Sequence, residues 1–175
     1  MKNVKKIFVL LLAVLCLFSV VACDESKSAD TNEVKDKADS QEGVAYYFEY
    51  NGVSVELGAS ADGIIEKLGT YKDKKEIGDC GGLGAQVKYS YPSFDLYVLE
   101  SKTDGSIIDQ ITFRDDIVAT PEGVCIGMSL DDAKAKLGEP TSGTDTSIEY
   151  LDGNKLLKLG IEGGVITEID YMTVV

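Results

Sequence analysis

The sequence predicts an α+β fold made of two tandem repeats, each a short helix packed on an antiparallel β-meander. Three observations predict this fold class. Residues 55–69 align without a gap to residues 124–138, and seven of the aligned pairs are identical. Each copy carries the residues that start and stop a helix. Alternating apolar and polar residues, separated by short turns, follow each copy and are typical of paired strands.

The chain begins with the pattern of an export signal. Lys2, Lys5 and Lys6 form a basic start, and residues 7–22 are uncharged and end in a small residue. This arrangement predicts a cleaved signal peptide over residues 1–22. A permanent membrane span is the weaker alternative, because a spanning helix needs about 20 apolar residues and this run is shorter.

The apolar run ends in Ser19-Val-Val-Ala-Cys23, which resembles the lipobox of bacterial lipoproteins. The resemblance implies that Cys23 becomes a diacylglyceryl cysteine with acyl chains such as palmitate. It also implies an extracytoplasmic location on a Gram-positive cell surface, with membrane attachment through the lipid anchor only. Two acyl chains hold a protein stably on a bilayer, at about 0.8 kcal/mol per buried CH₂. A plain secretory signal with an incidental Cys23 is the alternative.

Residues 23–44 are predicted to form a flexible, lipidated tether. The segment 24–43 is polar and charged and has almost no large apolar side chains. Such a segment buries too little apolar surface to offset the entropy lost on folding.

The first repeat is predicted over residues 45–116 and the second over residues 117–175. Near the start of the first repeat, Asn51-Gly52 separates two alternating segments. Both residues tolerate the positive φ of a two-residue type I′ turn, so this dipeptide predicts a hairpin.

Each repeat carries its own helix signals. Ser60 and Ser129 are placed to accept hydrogen bonds from free N–H groups at a helix start. Gly69 and Gly138 are placed where a left-handed residue ends a helix. The sequence therefore predicts two short helices at equivalent places.

The strands predicted after each helix have one apolar face. Residues 71–85 are expected to be a long loop, and residues 117–123 are expected to supply the entry strand of the second repeat. The residues predicted to point inward are Val87, Tyr89, Leu96, Val98, Ile111, Phe113, Ile148, Tyr150, Leu157, Leu159, Ile169 and Tyr171.

The segment Gly127-Met-Ser-Leu-Asp-Asp-Ala-Lys-Ala-Lys-Leu-Gly-Glu-Pro140 carries a second resemblance. It is similar to the α+β repeat of β-lactamase inhibitory proteins and of the small lipoproteins of the outer-membrane β-barrel assembly machinery. The resemblance implies a protein-binding or assembly role with an extracytoplasmic protein partner that it does not identify.

Composition excludes some function classes. The chain has 17 Lys+Arg and 30 Asp+Glu, and three of the lysines precede residue 7, which leaves 14 basic residues and a net charge of −16 after the signal. Such a chain repels nucleic acid. Histidine is absent, so the commonest general base and metal ligand are missing. We expect no enzyme activity, no catalytic residues, no metal and no cofactor.

Two sets of residues are candidate sites. Cys80 and Cys125 are a candidate disulfide, since exported domains often form them; two free thiols are the alternative. Tyr89, Tyr91 and Tyr97 are a candidate binding surface, because tyrosine is enriched where proteins bind one another. The alternative is that each is an ordinary core or half-buried strand residue.

These observations predict a membrane-tethered, non-enzymatic module that binds or assembles proteins through an open sheet face. One alternative is an inhibitor of a secreted or cell-wall enzyme, which the resemblance to β-lactamase inhibitory proteins suggests. Another is a surface sensor or small-ligand carrier, which would need a closed apolar pocket.

Overall fold

A computed structural model describes residues 43–79, 84–101 and 105–174 of the chain. These residues belong to one unit, Ser40–Val175. The helices are α1 (Ile64–Leu68) and α2 (Leu130–Leu137). The strands are β1 (Tyr47–Tyr50), β2 (Val53–Glu56), β3 (Asp73–Asp79), β4 (Gly84–Ser90), β5 (Phe94–Ser101), β6 (Gly105–Phe113), β7 (Ser142–Gly143), β8 (Ser147–Asp152), β9 (Lys155–Glu162) and β10 (Val165–Thr173).

Strands β3 to β10 form one antiparallel sheet in the order β3-β4-β5-β6-β10-β9-β8-β7. Each half of the chain supplies four neighbouring strands, and the halves meet where β6 pairs with β10. This seam has three residue pairs, Asp170 with Thr112, Tyr171 with Ile111, and Met172 with Gln110. The sheet is therefore continuous from one half of the chain to the other.

The predicted fold class, two α+β repeats with a helix on each meander, is wrong. The structure is mostly β, with 52% strand and 10% helix, and it has one large sheet. There are two physical reasons. The helices have five and eight residues and are too short to form a layer, and the pairing of β6 with β10 joins the strands edge to edge. The domain boundaries at residues 45–116 and 117–175 stay a prediction.

The core lies on one face of this sheet, beneath the β1–β2 hairpin and both helices. Phe48 and Leu57 from the hairpin region, Leu68 from α1 and Ala133 from α2 all join one buried cluster with the sheet residues. The twelve residues predicted to point inward are all buried, which confirms the predicted alternation. The hairpin is confirmed as well, since Asn51 and Gly52 both have positive φ, 51° and 76°.

The two helices begin differently, although their sequences align. Ser129 caps α2 as predicted, and its side chain accepts a hydrogen bond from the Asp132 N–H. Ser60 does not cap α1, so that prediction is wrong. The cap is Gly63, which adopts a left-handed conformation with φ 77° and delays the start of the helix. Gly69 and Gly138 end the helices at φ 81°, a conformation that favours glycine.

Two predicted connections are wrong. Part of the expected loop at residues 71–85 is the edge strand β3, which pairs with β4 from Asp73 to Asp79. Residues 117–123 contain no strand; they form turns and extended chain instead. The strand β3 was not recognised from the sequence, because its lysines, acidic residues and glycine do not alternate clearly between polar and apolar. A polar pattern of this kind is compatible with an edge strand, where charged side chains are favourable.

Candidate functional site

The sheet face opposite the core is the candidate functional site, and we call it the open face. In the described part of the chain, the hairpin and both helices pack on the other side. Strand alternation and register place on the open face Lys88, Asp95, Tyr97, Gln110, Thr112, Lys158, Glu168, Asp170 and Met172. Tyr97 lies opposite both Lys88 and Gln110, so it occupies the middle of a row of polar side chains.

Asp95 is the centre of a small ion-pair group on β5. Its carboxylate lies 3.7 Å from Lys88 Nζ and 3.4 Å from Arg114 Nη1. The Asp95 side chain is only 12% exposed, whereas the Arg114 side chain is 47% exposed. The two cations compensate a nearly buried negative charge, which would be costly without them.

A second polar group crosses the seam between the two halves of the sheet. Gln110 Nε2 donates to Thr112 Oγ1 at 3.1 Å, and Thr112 Oγ1 donates to Asp170 Oδ1 at 2.5 Å. Asp170 is buried, with 5% of its surface exposed. A hydrogen bond to a charged group is stronger than one between neutral groups. This row of hydrogen bonds therefore helps to hold β6 against β10.

Glu168 lies beside Asp170 on β10. The Asp170 carboxylate is the largest cause that raises the pKa of Glu168, followed by burial and a hydrogen bond between the two side chains; Lys158 opposes the rise. Two neighbouring carboxylates disfavour each other's charge, which is why the pKa of Glu168 is raised.

Asp109 forms a third polar group in the middle of β6. Gln86 Nε2 donates to Asp109 Oδ2 at 2.7 Å, and Thr173 Oγ1 donates to Asp109 Oδ1. The three groups together fix the orientation of carboxylates on β5, β6 and β10. The face therefore presents an ordered pattern of charges, which suits specific contact with another macromolecule.

The three tyrosines of the predicted binding surface do not lie on one face of the sheet. Tyr89 and Tyr91 are buried in the core, and the Tyr91 ring stacks on Phe94 with ring centroids 4.7 Å apart. Tyr97 is half-buried on the open face. Burial is the largest cause that raises its pKa; Asp95 and Asp170 raise it further, and Arg114 lowers it. Only Tyr97 of the three is placed to contact a partner there.

The candidate cysteines are only partly described. Cys23 and Cys80 lie outside the described residues. Cys125 is half-buried and forms no disulfide with another described residue. It does not lie on a strand, because the expected entry strand is missing. The Cys80–Cys125 bridge and the modification of Cys23 stay predictions.

Sequence reasoning missed the buried carboxylates of the open face. Asp95 lies between Phe94 and Leu96, and Asp170 lies between Ile169 and Tyr171. The signal was present, because strand alternation points a residue between two inward neighbours to the opposite face. Their near burial depends on neighbouring strands, which a single sequence does not place side by side.

Within residues 43–79, 84–101 and 105–174, no group of three or more His, Cys, Asp or Glu residues is arranged to hold a metal ion. Over the same ranges, none of the helices has the length and apolar character needed to cross a bilayer. Comparison with family models, curated proteins and solved structures found no match. The two resemblances noted from the sequence therefore stay predictions.

Proposed function

We propose that the chain is a lipoprotein tethered to the outside of the cell membrane, whose folded domain binds another protein through the open face. The observation that carries the proposal is the uneven covering of the sheet. In the described part of the chain, one face is buried under the hairpin and helices, and the other presents ordered polar side chains around Tyr97.

The chemistry of the open face supports protein binding over catalysis. Two of its carboxylates are already paired, Asp95 with Lys88 and Arg114, and Asp170 with Thr112. Paired groups of this kind favour recognition, because charge complementarity gives specificity and a faster association rate. Tyr97 and Met172 add apolar area near the middle of the face, and both residue types are enriched in protein interfaces.

The sequence pattern that predicts a lipid anchor and a tether supports the same proposal. Basic residues, an apolar run and Cys23 precede a polar segment of about 20 residues. A flexible polar segment of that length holds a domain away from the bilayer while leaving it free to reorient. A protein partner at the membrane surface would meet the domain at a high local concentration.

Site-specific crosslinking in intact cells tests the open face. A photoreactive amino acid at Gln110 is expected to capture a protein partner, because Gln110 neighbours Tyr97 in the register. The matched control carries the same group at Asp131, an exposed residue of α2. The proposal fails if both positions capture the same proteins equally, or if Tyr97→Ala leaves capture at Gln110 unchanged.

Fractionation of Cys23→Ser tests the anchor separately. The variant is expected to leave the membrane fraction or to accumulate as an uncleaved precursor, because it lacks the thiol that receives the lipid. Recovery of a fully processed protein in the membrane fraction would contradict a lipid anchor. An inhibition assay against β-lactamases and cell-wall peptidases distinguishes plain binding from enzyme inhibition.

A further inference from the structure

A cleft beside strand β8 is lined by none of the residues placed on the open face. It lies between the carboxyl end of α2, the end of β8 and the segment that leads into β1, and its volume is about 700 Å³. Small-molecule sites in proteins have volumes of about 300–1,000 Å³. The cleft therefore has the size of a ligand site.

The walls of the cleft carry an excess of negative charge. Glu122, Glu139 and Asp152 line it, and Lys136 is the one cationic side chain among its lining residues. The Lys136 ammonium donates to the Glu122 backbone carbonyl at 3.3 Å. This contact directs the lysine charge toward the chain linking the two halves of the sheet, so three carboxylates face a single cation.

Two tyrosines line the same cleft, Tyr46 and Tyr150. The Tyr150 hydroxyl donates to the Gly138 carbonyl at 3.0 Å, so its polar end is satisfied and its ring forms part of the wall. Burial, and then Glu139, raise the pKa of Tyr150 to about 12. Burial, then Asp152 and Glu122, raise the pKa of Tyr46. Both rings are therefore neutral near pH 7 and have carboxylates close by.

Glu122 adds a buried acceptor. Its Oε1 accepts a hydrogen bond from the Ala45 N–H at 2.7 Å, which fixes the carboxylate in place. Its Oε2 is buried and has no hydrogen-bond partner among the described residues. A buried oxygen without a donor is costly, and a positive charge held in the cleft would offset part of this cost by electrostatic attraction.

We propose that this cleft binds a small organic cation, an ammonium group whose apolar substituents lie against the half-buried ring of Tyr46. Aromatic rings attract cations through their negative faces, and the carboxylates add attraction for one positive charge. Anionic ligands are disfavoured by the same carboxylates. The proposal does not depend on the open face, so it stands or falls apart from the proposed protein partner.

Titration with tetramethylammonium, followed by NMR of the full mature chain at fixed ionic strength, tests the proposal. The expected result is a saturable shift of signals from Tyr46, Tyr150 and their neighbours. tert-Butanol, a neutral molecule of similar shape, is expected to give no saturable shift. Equal binding of both probes would overturn the role of charge.

Three variants separate this site from diffuse attraction to an acidic protein. Asp152→Asn and Tyr46→Leu are each expected to weaken binding about fivefold, as the loss of an exposed charge or ring contact predicts. Asp131→Asn removes the same charge from α2, where Asp131 does not line the cleft, and is expected to change affinity less than twofold. Equal weakening by Asp131→Asn and Asp152→Asn would overturn the proposal, as would the absence of a saturable shift in the unmodified chain.

Discussion

Residues 58–61 and 127–130 contact the sheet in the same way, yet they lead into different helices. In the first segment Gly58 N–H donates to Ile108, Ala59 accepts from Ile108, and Ala61 N–H donates to Ser106, at 2.8–2.9 Å. In the second, Gly127, Met128 and Leu130 make the matching bonds to Ile166 and Gly164, also at 2.8–2.9 Å. Ser60 and Ser129 form equivalent single bridges to the sheet.

The difference between the two helices begins three residues after each serine. Gly63 stands in the first segment and Asp132 in the second. Gly63 takes a left-handed conformation, and α1 has five residues; Asp132 is helical and bonds to Ser129, and α2 has eight. The helices therefore start at different places, although the preceding chain docks on the sheet in the same way.

The largest difference between the two segments is expected at their matching leucines. Leu68 is 5% exposed, whereas Leu137 is half-buried and lines the cleft. Leu68→Ala should lower the free energy of unfolding by about 2–5 kcal/mol, and Leu137→Ala by about 1–2 kcal/mol, because less apolar area is lost. Urea denaturation measures both. The reverse order would show that the helices pack differently, and Lys67→Ala is the exposed control.

The next effect is expected at Gly63, where the backbone requires a positive φ. Gly63→Ala should lower the free energy of unfolding by about 1–2 kcal/mol. An added Cβ would meet nothing within 4 Å, so the cost comes from the backbone alone. At the matching position Asp132→Ala should cost less, because the residue is helical. Thermal denaturation in which Gly63→Ala is neutral would indicate that α1 can start earlier.

The helix caps should differ by a smaller amount. Ser129→Ala should lower the free energy of unfolding by about 1 kcal/mol, because the Asp132 N–H loses its acceptor. Ser60→Ala should cost only a few tenths, since Ser60 accepts from Asp62 in an exposed turn outside the helix. Equal losses in urea denaturation would contradict the difference in capping.

The smallest effect is expected on the strands that meet at the seam. In sequence, Gln110 and Thr112 of the first half occupy the positions equivalent to Glu168 and Asp170 of the second half. The second half therefore carries two acidic residues where the first half carries a neutral, hydrogen-bonded pair. A raised pKa for Glu168 means that its charge costs stability above that pKa, and the cost disappears as pH falls below the ordinary value near 4.5.

Glu168→Gln should therefore stabilise the protein at pH 7 by no more than about 0.5 kcal/mol, because the side chain is exposed and screened. The gain should vanish near pH 4. Urea denaturation of both proteins at the two pH values measures it. A gain that grows at low pH would contradict the sign of the pKa shift.

The local parts of the fold were accessible from the sequence. Asn51-Gly52 identified the hairpin, and Ser129 identified the start of α2. Alternation identified the buried face of β4, β5, β6, β8, β9 and β10. The pairing of β6 with β10 was not accessible from the sequence. Both strands alternate as half-buried strands do, and this pattern is the same whether a strand lies at the edge of a sheet or pairs with a neighbour on both sides. That one pairing decides the fold class.

The site was less accessible than the fold. Tyr97 was among the predicted residues. Tyr89 was predicted both as an inward residue and as part of the binding surface, whereas Tyr91 could be assigned to the core only once the strands were side by side. Glu122 was not singled out at all. Its importance arises because Ala45, 77 residues earlier, lies close enough to donate a hydrogen bond to it, and no local pattern encodes such a contact.

The seam has a consequence for how fast the protein folds. Neighbouring strands within each half are joined by turns and can pair early, because closing a short loop costs little entropy. Thr112 and Asp170 are separated by 58 residues, and only three residue pairs join β6 to β10. Non-local pairing is slow to form, so we expect each four-stranded half to assemble first and the seam to close in the rate-limiting step. Changes at Thr112 should then slow folding more than changes in the hairpin do.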